Sequence, residues 1–120
     1  MEQDKVKYLI DMINNMDIKD KLRLAIRISD SNCTNLKYAK PEMYEKFDNQ
    51  LKEIDEEYRT TIINFNKYPT ITFSMAKIME MSKEEQNQIS LYLFNHINYE
   101  ILSIWLNKNG AVINYAIFND

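Results

Sequence analysis

Residues 41–66 read PEMYEKFDNQLKEIDEEYRTTIINFN, and the spacing of their apolar members decides the fold class. Met43, Phe47, Leu51, Ile54, Tyr58, Ile62 and Phe65 recur at steps of four, four, three, four, four and three, which puts them on one stripe of an α-helix. Pro41 suits the first turn of such a helix, where its missing amide hydrogen has no intrahelical partner to lose. The pattern predicts a long helix from Pro41 to Asn66, broken by Tyr68-Pro69.

On the N-terminal side, Val6, Leu9, Ile10, Ile13 and Met16 predict a helix from Asp4 to Met16. Asp17 is placed to cap a second helix, with Leu22, Ala25 and Ile26 on its buried face. Residues 21–29 carry another reading. Leu22, Leu24, Ile26 and Ile28 alternate with Arg23, Ala25, Arg27 and Ser29, as in a half-buried strand that would make the fold α+β. The capping aspartate and the lack of an adjacent turn signal favour the helix.

On the C-terminal side a shorter helix is expected before Ser82, with either Phe73, Ala76 and Met79 or Ile71, Met75 and Ile78 facing inward; Thr70 to Phe73 alone would suit a strand. Ser82 and Glu85 form a capping box that opens another helix, with Ile89, Leu93 and Ile97 on its core face and Tyr92 and Phe94 on its flanks. From Leu102 the pattern turns to alternation. Leu102, Ile104 and Leu106 mirror Ile113, Tyr115 and Ile117 across Asn109-Gly110, which predicts a β-hairpin over 102–118. The expected fold is mainly α: residues 1–120 form a single compact domain of four to five helices closed by this hairpin. An isolated ribbon is marginal in water, so it must pack on the helices, pair with 22–28 if that segment is a strand, or pair with a second chain.

Composition removes several function classes. The chain has one glycine, one histidine, one cysteine and two prolines in 120 residues. Phosphate-cradling loops and nucleophile elbows need glycine, and Gly110, near the end, is the only one. Cys33 has no partner for an internal disulfide, which fits a reducing cytoplasm. The N-terminus shows no signal-peptide pattern, and Ile89 to Leu106 contains Asn95, His96, Asn98 and Glu100, too polar for a membrane span. The richness in Ile, Asn, Lys and Tyr matches AT-rich codons, as in a low-GC bacterium or its phage.

His96 and Cys33 are the only candidates for nucleophilic or general-base work, and nothing in the sequence brings them together. No arginine stands at Ile89, Ser90 or Leu91, where a compact helical nuclease motif ending at His96 would need one. Seven carboxylates (Glu42, Glu45, Asp48, Glu53, Asp55, Glu56 and Glu57) face two lysines between Glu42 and Glu57, while the whole chain carries only −3. Pairs one turn apart, such as Glu53 and Glu57, could hold a hard cation. Helical di-metal sites use Glu-x-x-His pairs, however, and Leu93 and Tyr99 flank His96 at that spacing. The expectation is therefore no metal, no cofactor and no catalysis. The ordinary reading of the acidic run is a solvated face opposite the Met43–Phe65 stripe.

The functional reading of the same run is a docking surface for a basic protein partner, contacted by Glu45, Asp48, Glu53, Glu56 and Glu57. Trp105, on the outer face of the expected ribbon, would be an apolar anchor. Six methionines (Met12, Met16, Met43, Met75, Met79 and Met81) suit an adaptable core or an adaptable contact. The leading expectation is a non-enzymatic intracellular interaction protein of inhibitor, immunity or accessory-subunit type, with homodimerisation through the ribbon or the long helix. The alternative is a small DNA-binding regulator using Lys19, Lys21, Arg23 and Arg27, since Arg23 and Arg27 would stack one turn apart on a helix. No recognition helix rich in base-reading side chains follows. Those cations are equally placed to neutralise the acidic third helix, within the chain or across a dimer.

Overall fold

Asp17 starts the second helix, as its position predicts. Its Oδ1 accepts from the amide of Asp20 at 2.8 Å, satisfying one of the donors that every helix N-terminus leaves open. A computed structural model of the chain describes residues 2–30, 41–60 and 67–109. The helices are α1 (Glu2–Asn14), α2 (Ile18–Ser29), α3 (Pro41–Ile54), α4 (Glu56–Thr60), α5 (Pro69–Met79) and α6 (Lys83–Asn109). The described residues contain no strand.

α2 is the centre of the assembly. It packs against α3, α5 and α6, and α1 lies against α6. Between Lys21 and Ser29 only Arg27 is exposed and only Arg23 is half-buried. This resolves the double reading of residues 21–29. Leu22, Leu24, Ile26 and Ile28 are all buried, together with Ala25. A helix surrounded on most sides by other helices has no polar face, so its apolar residues need not keep a period of 3.6. Alternation here reflects encirclement, and the strand alternative is replaced by helix.

The long helix expected over 41–66 is kinked at Asp55 over its described part, residues 41–60. α3 ends at Ile54, α4 runs over Glu56–Thr60, and residues 61–66 lie outside the described residues. The amide of Asp55 still donates to Leu51 O at 2.8 Å and the amide of Arg59 to Asp55 O at 3.2 Å. The kink arises because Asp55 Oδ1 accepts from the Tyr58 amide at 3.3 Å, the geometry of a cap. Phe47 and Leu51 fill the core from α3, while Met43, Tyr44 and Tyr58 pack against it half-buried.

Of the two faces open to α5, Ile71, Met75 and Ile78 are the buried set, and Phe73, Ala76 and Met79 are exposed. Thr70 to Phe73 is helical. Pro69 occupies the first turn. The capping box forms as expected: the Glu85 amide donates to Ser82 Oγ at 3.2 Å, and the Ser82 amide donates to Glu85 Oε1 at 2.8 Å. Gln86 Nε2 then donates to Ile78 O at 3.0 Å and Met81 O at 3.3 Å, satisfying carbonyls at the end of α5 and in the turn that follows it. Ile89, Leu93 and Ile97 are fully buried, as is most of Phe94, whose ring centroid lies 5.0 Å from that of Phe47.

The C-terminal hairpin is not supported. Residues 102–109 continue α6, giving a helix of 27 residues, about 40 Å long at 1.5 Å per residue; residues 110–118, the rest of the expected ribbon, lie outside the described residues. The physical reason is cooperativity. Adding a residue to an existing helix gains a hydrogen bond for one residue fixed, whereas a two-stranded ribbon must be nucleated anew and is marginal by itself. Ile97, Ile101 and Trp105 also continue at steps of four, a helical signal superimposed on the alternating one. No helix of the described residues is long and apolar enough to cross a membrane.

Candidate functional site

Folding sorts the carboxylates between Glu42 and Glu57 into two groups. Asp55 is 6% exposed, and its Oδ2 accepts from Arg23 Nη2 at 2.8 Å. Arg23 Nη1 donates to Asp20 Oδ1 at 2.6 Å, and its guanidinium carbon lies 4.1 Å from the Tyr68 ring centroid. Asp48 accepts from Lys52 Nζ at 2.9 Å and from the Tyr58 hydroxyl. Glu57 accepts from Lys67 Nζ. Glu42, Glu45, Glu53 and Glu56 form the other group. They are exposed, and among the described residues no ion pair involves them. Glu45, Asn49 and Glu53 follow one another at steps of four along the outer side of α3, and Glu56 opens α4.

Asp55, Arg23, Tyr58 and Lys52 have perturbed acidities with separable causes. Burial pushes the Asp55 carboxyl up, but the Arg23 hydrogen bond, the Tyr58 amide and the Arg23 charge outweigh it, and the net effect is downward. Burial likewise pulls Arg23 down, and its bonds to Asp55 and Asp20 return it above its ordinary value. The Tyr58 phenol is raised, first by burial and then by its bond to the Asp48 carboxylate, which favours the protonated donor. Lys52 is raised chiefly by its bond to Asp48. The Arg23–Asp55 pair ties the α3–α4 kink to α2, and the Asp48–Lys52 and Asp48–Tyr58 contacts brace the kink from within.

The structure does not gather the four cations of the DNA-binding alternative into one exposed patch. Lys21 is buried, with Nζ donating to Glu100 Oε2 at 3.1 Å, and Arg23 is taken up by Asp20 and Asp55. Lys19 is half-buried, and Arg27 alone is exposed. Arg23 thus neutralises part of the acidic run within the chain. Trp105 lies on α6 and not on a ribbon face, and its surroundings fall outside the described side chains. Its expected neighbours Val112 and Ala116, and Cys33, are likewise outside the described residues. His96 is half-buried and stacked on Tyr92 with ring centroids 5.5 Å apart. Among the described residues no three His, Cys, Asp or Glu side chains are grouped to hold a metal ion.

A cleft between α1 and α5 was not anticipated from the sequence. It is lined by Lys5, Tyr8, Leu9, Phe73, Lys77, Glu80 and Met81 and has a volume of about 330 Å³. The available signal was Phe73, which is left over once Ile71, Met75 and Ile78 take the inward face of α5. The chain matches no protein-family model, no curated protein and no solved structure.

Proposed function

We propose that the protein is a non-enzymatic interaction module that docks a basic surface of another protein on the outer side of α3 and α4. The observation that carries this reading is the sorting of charge. Asp48, Asp55 and Glu57 are matched by Lys52, Arg23 and Lys67, whereas Glu45, Glu53 and Glu56 stand exposed and in no ion pair among the described residues. An unneutralised row on a braced helix presents fixed negative potential, which speeds encounter with a basic partner and sets its orientation. Ile54, 38% exposed beside Glu53, adds an apolar contact within the row. Action by occluding or bridging that partner, as an inhibitor, immunity protein or accessory subunit does, follows from a surface that binds and carries no chemistry.

The test is gentle affinity purification from host lysate, read by native mass spectrometry, with wild type beside the triple reversal Glu45→Lys, Glu53→Lys and Glu56→Lys. A stoichiometric basic protein should accompany wild type, dissociate with rising salt and be lost from the reversal. A complex that survives the reversal, or no complex with wild type, refutes the reading.

A further inference from the structure

We infer that the α1–α5 cleft is a binding site for a small apolar molecule carrying one carboxylate. Tyr8 and Leu9 contribute one wall from α1, and Phe73 the other from α5, while Met81 in the turn before α6 adds a buried apolar side chain. Phe73 and Lys77 of α5 and Glu80, which caps its C-terminus, follow at steps of four and three and line the cleft together.

Two large aromatic side chains remain wet here, Tyr8 at 54% and Phe73 at 42% exposure. Exposed apolar surface of this kind, concave and flanked by polar groups, is the usual form of a ligand site, and the volume falls at the small end of the range for such clefts. The cleft spans one turn of α1 and two turns of α5, roughly 10 Å along the helix axes. That length suits a bicyclic ring system or a short alkyl chain.

Charge selects the anion. Two ammonium groups, Lys5 and Lys77, line the cleft against the single carboxylate of Glu80. Elsewhere in the fold Lys21, Lys52, Lys67 and Arg23 each hold a carboxylate. Among the described residues neither Lys5 nor Lys77 does so, although Glu80 lines the same cleft. Lys77 Nζ instead lies 5.4 Å from the Phe73 ring centroid. Its cation is thereby held against the apolar wall, next to where the carboxylate of a ring seated on Phe73 would lie.

This site is separate from the acidic row on α3 and α4, and its test does not depend on that reading. The experiment is amide-resolved NMR of the full chain titrated with naphthoate, the neutral naphthylmethanol and the cationic naphthylmethylammonium. Naphthoate should give saturable shifts at Lys5, Tyr8, Phe73, Lys77 and Met81. Each rim lysine contributes roughly threefold as a solvent-exposed pair, so the neutral alcohol should bind about tenfold more weakly and the cation more weakly still. The double variant Lys5→Gln/Lys77→Gln should keep the native spectrum, since neither side chain is in the core, and bind naphthoate no better than the alcohol. Equal affinity for all three probes, absence of saturable shifts, or shifts centred elsewhere would overturn the assignment. So would cleft shifts that appear on raising protein concentration without ligand, which would mark a second copy as the occupant. Shifts caused by a glutamate-flanked amphipathic peptide and not by naphthoate would assign the cleft to a protein segment instead.

Discussion

Replacing Arg23 with methionine should be far more costly than its place on a surface-like alternation suggests. The side chain reaches Asp55 at 2.8 Å and Asp20 at 2.6 Å, and the Asp55 side chain is only 8% exposed. Without Arg23, Asp55 keeps the Tyr58 amide as its recorded hydrogen-bond donor, and removing one partner of a buried pair costs about 3–5 kcal/mol. Taking the lower part of that range, because Asp55 retains this donor, gives about 3–4 kcal/mol, or about 12–16 °C in Tm for a chain of this length. Asp55→Asn should cost less, about 2 kcal/mol, because Arg23 keeps Asp20 and the Tyr68 ring. The decisive variant is the double. Arg23→Met/Asp55→Asn should be more stable than Arg23→Met by about 1 kcal/mol, since the second change removes the orphaned charge. The pH dependence has a defined sign. In wild type Asp55 sits below its ordinary value, so its contribution is present above about pH 4, the unfolded value, and is lost as pH falls through the folded one. In Arg23→Met the buried carboxyl is raised instead, so the deficit should shrink as pH falls toward 4 and below. Urea denaturation of the four proteins at neutral and acid pH measures all of this. A loss below about 1 kcal/mol in Arg23→Met, or a double variant less stable than that single one, refutes the reasoning.

Three further outcomes follow from the same structure. Lys21→Met should leave stability within about 1 kcal/mol of wild type or raise it, because a buried ammonium is replaced by an apolar chain while Glu100, 34% exposed, returns to water; thermal melts decide it. Ser103→Pro places proline on an exposed position inside α6 and should cost about 3 kcal/mol of local helix, seen as reduced far-ultraviolet ellipticity; unchanged ellipticity would mean that residues beyond 103 are not helical. Because the Tyr58 phenol is raised in the fold, the stability it contributes is complete below about pH 10 and is lost as pH rises through the folded value; Tyr58→Phe should flatten alkaline denaturation.

What the sequence made legible was whatever depends on near neighbours. Leu9 and Ile13 are buried on α1, Met16 just past its end, Phe47 and Leu51 on α3, and Ile89, Leu93 and Ile97 on α6, as their spacing implies. Asp17 and the Ser82–Glu85 pair cap as their types dictate. What depends on neighbours distant in sequence was not legible. The alternation in 21–29 is ambiguous until α3, α5 and α6 are known to surround it, and the kink at Asp55 involves Arg23, on another helix. Leu102, Ile104 and Leu106 fit a strand and a helix equally, and only an already formed α6 tips the balance. The acidic run was visible as charge, but which carboxylates remain unpaired is a property of the fold. The α1–α5 cleft joins residues nearly seventy apart in the chain, so no local pattern announces it.

The enclosure of α2 has a consequence for how this chain can change over time. A helix that contacts α3, α5 and α6 at once cannot open without uncovering most of the core, so the amides from Leu24 to Ile28 should exchange only through global unfolding. Change within α2 is therefore the most constrained in the described fold, because Leu22, Leu24, Ala25, Ile26 and Ile28 are all buried against its neighbours and a side chain altered there must be accommodated by three helices at once.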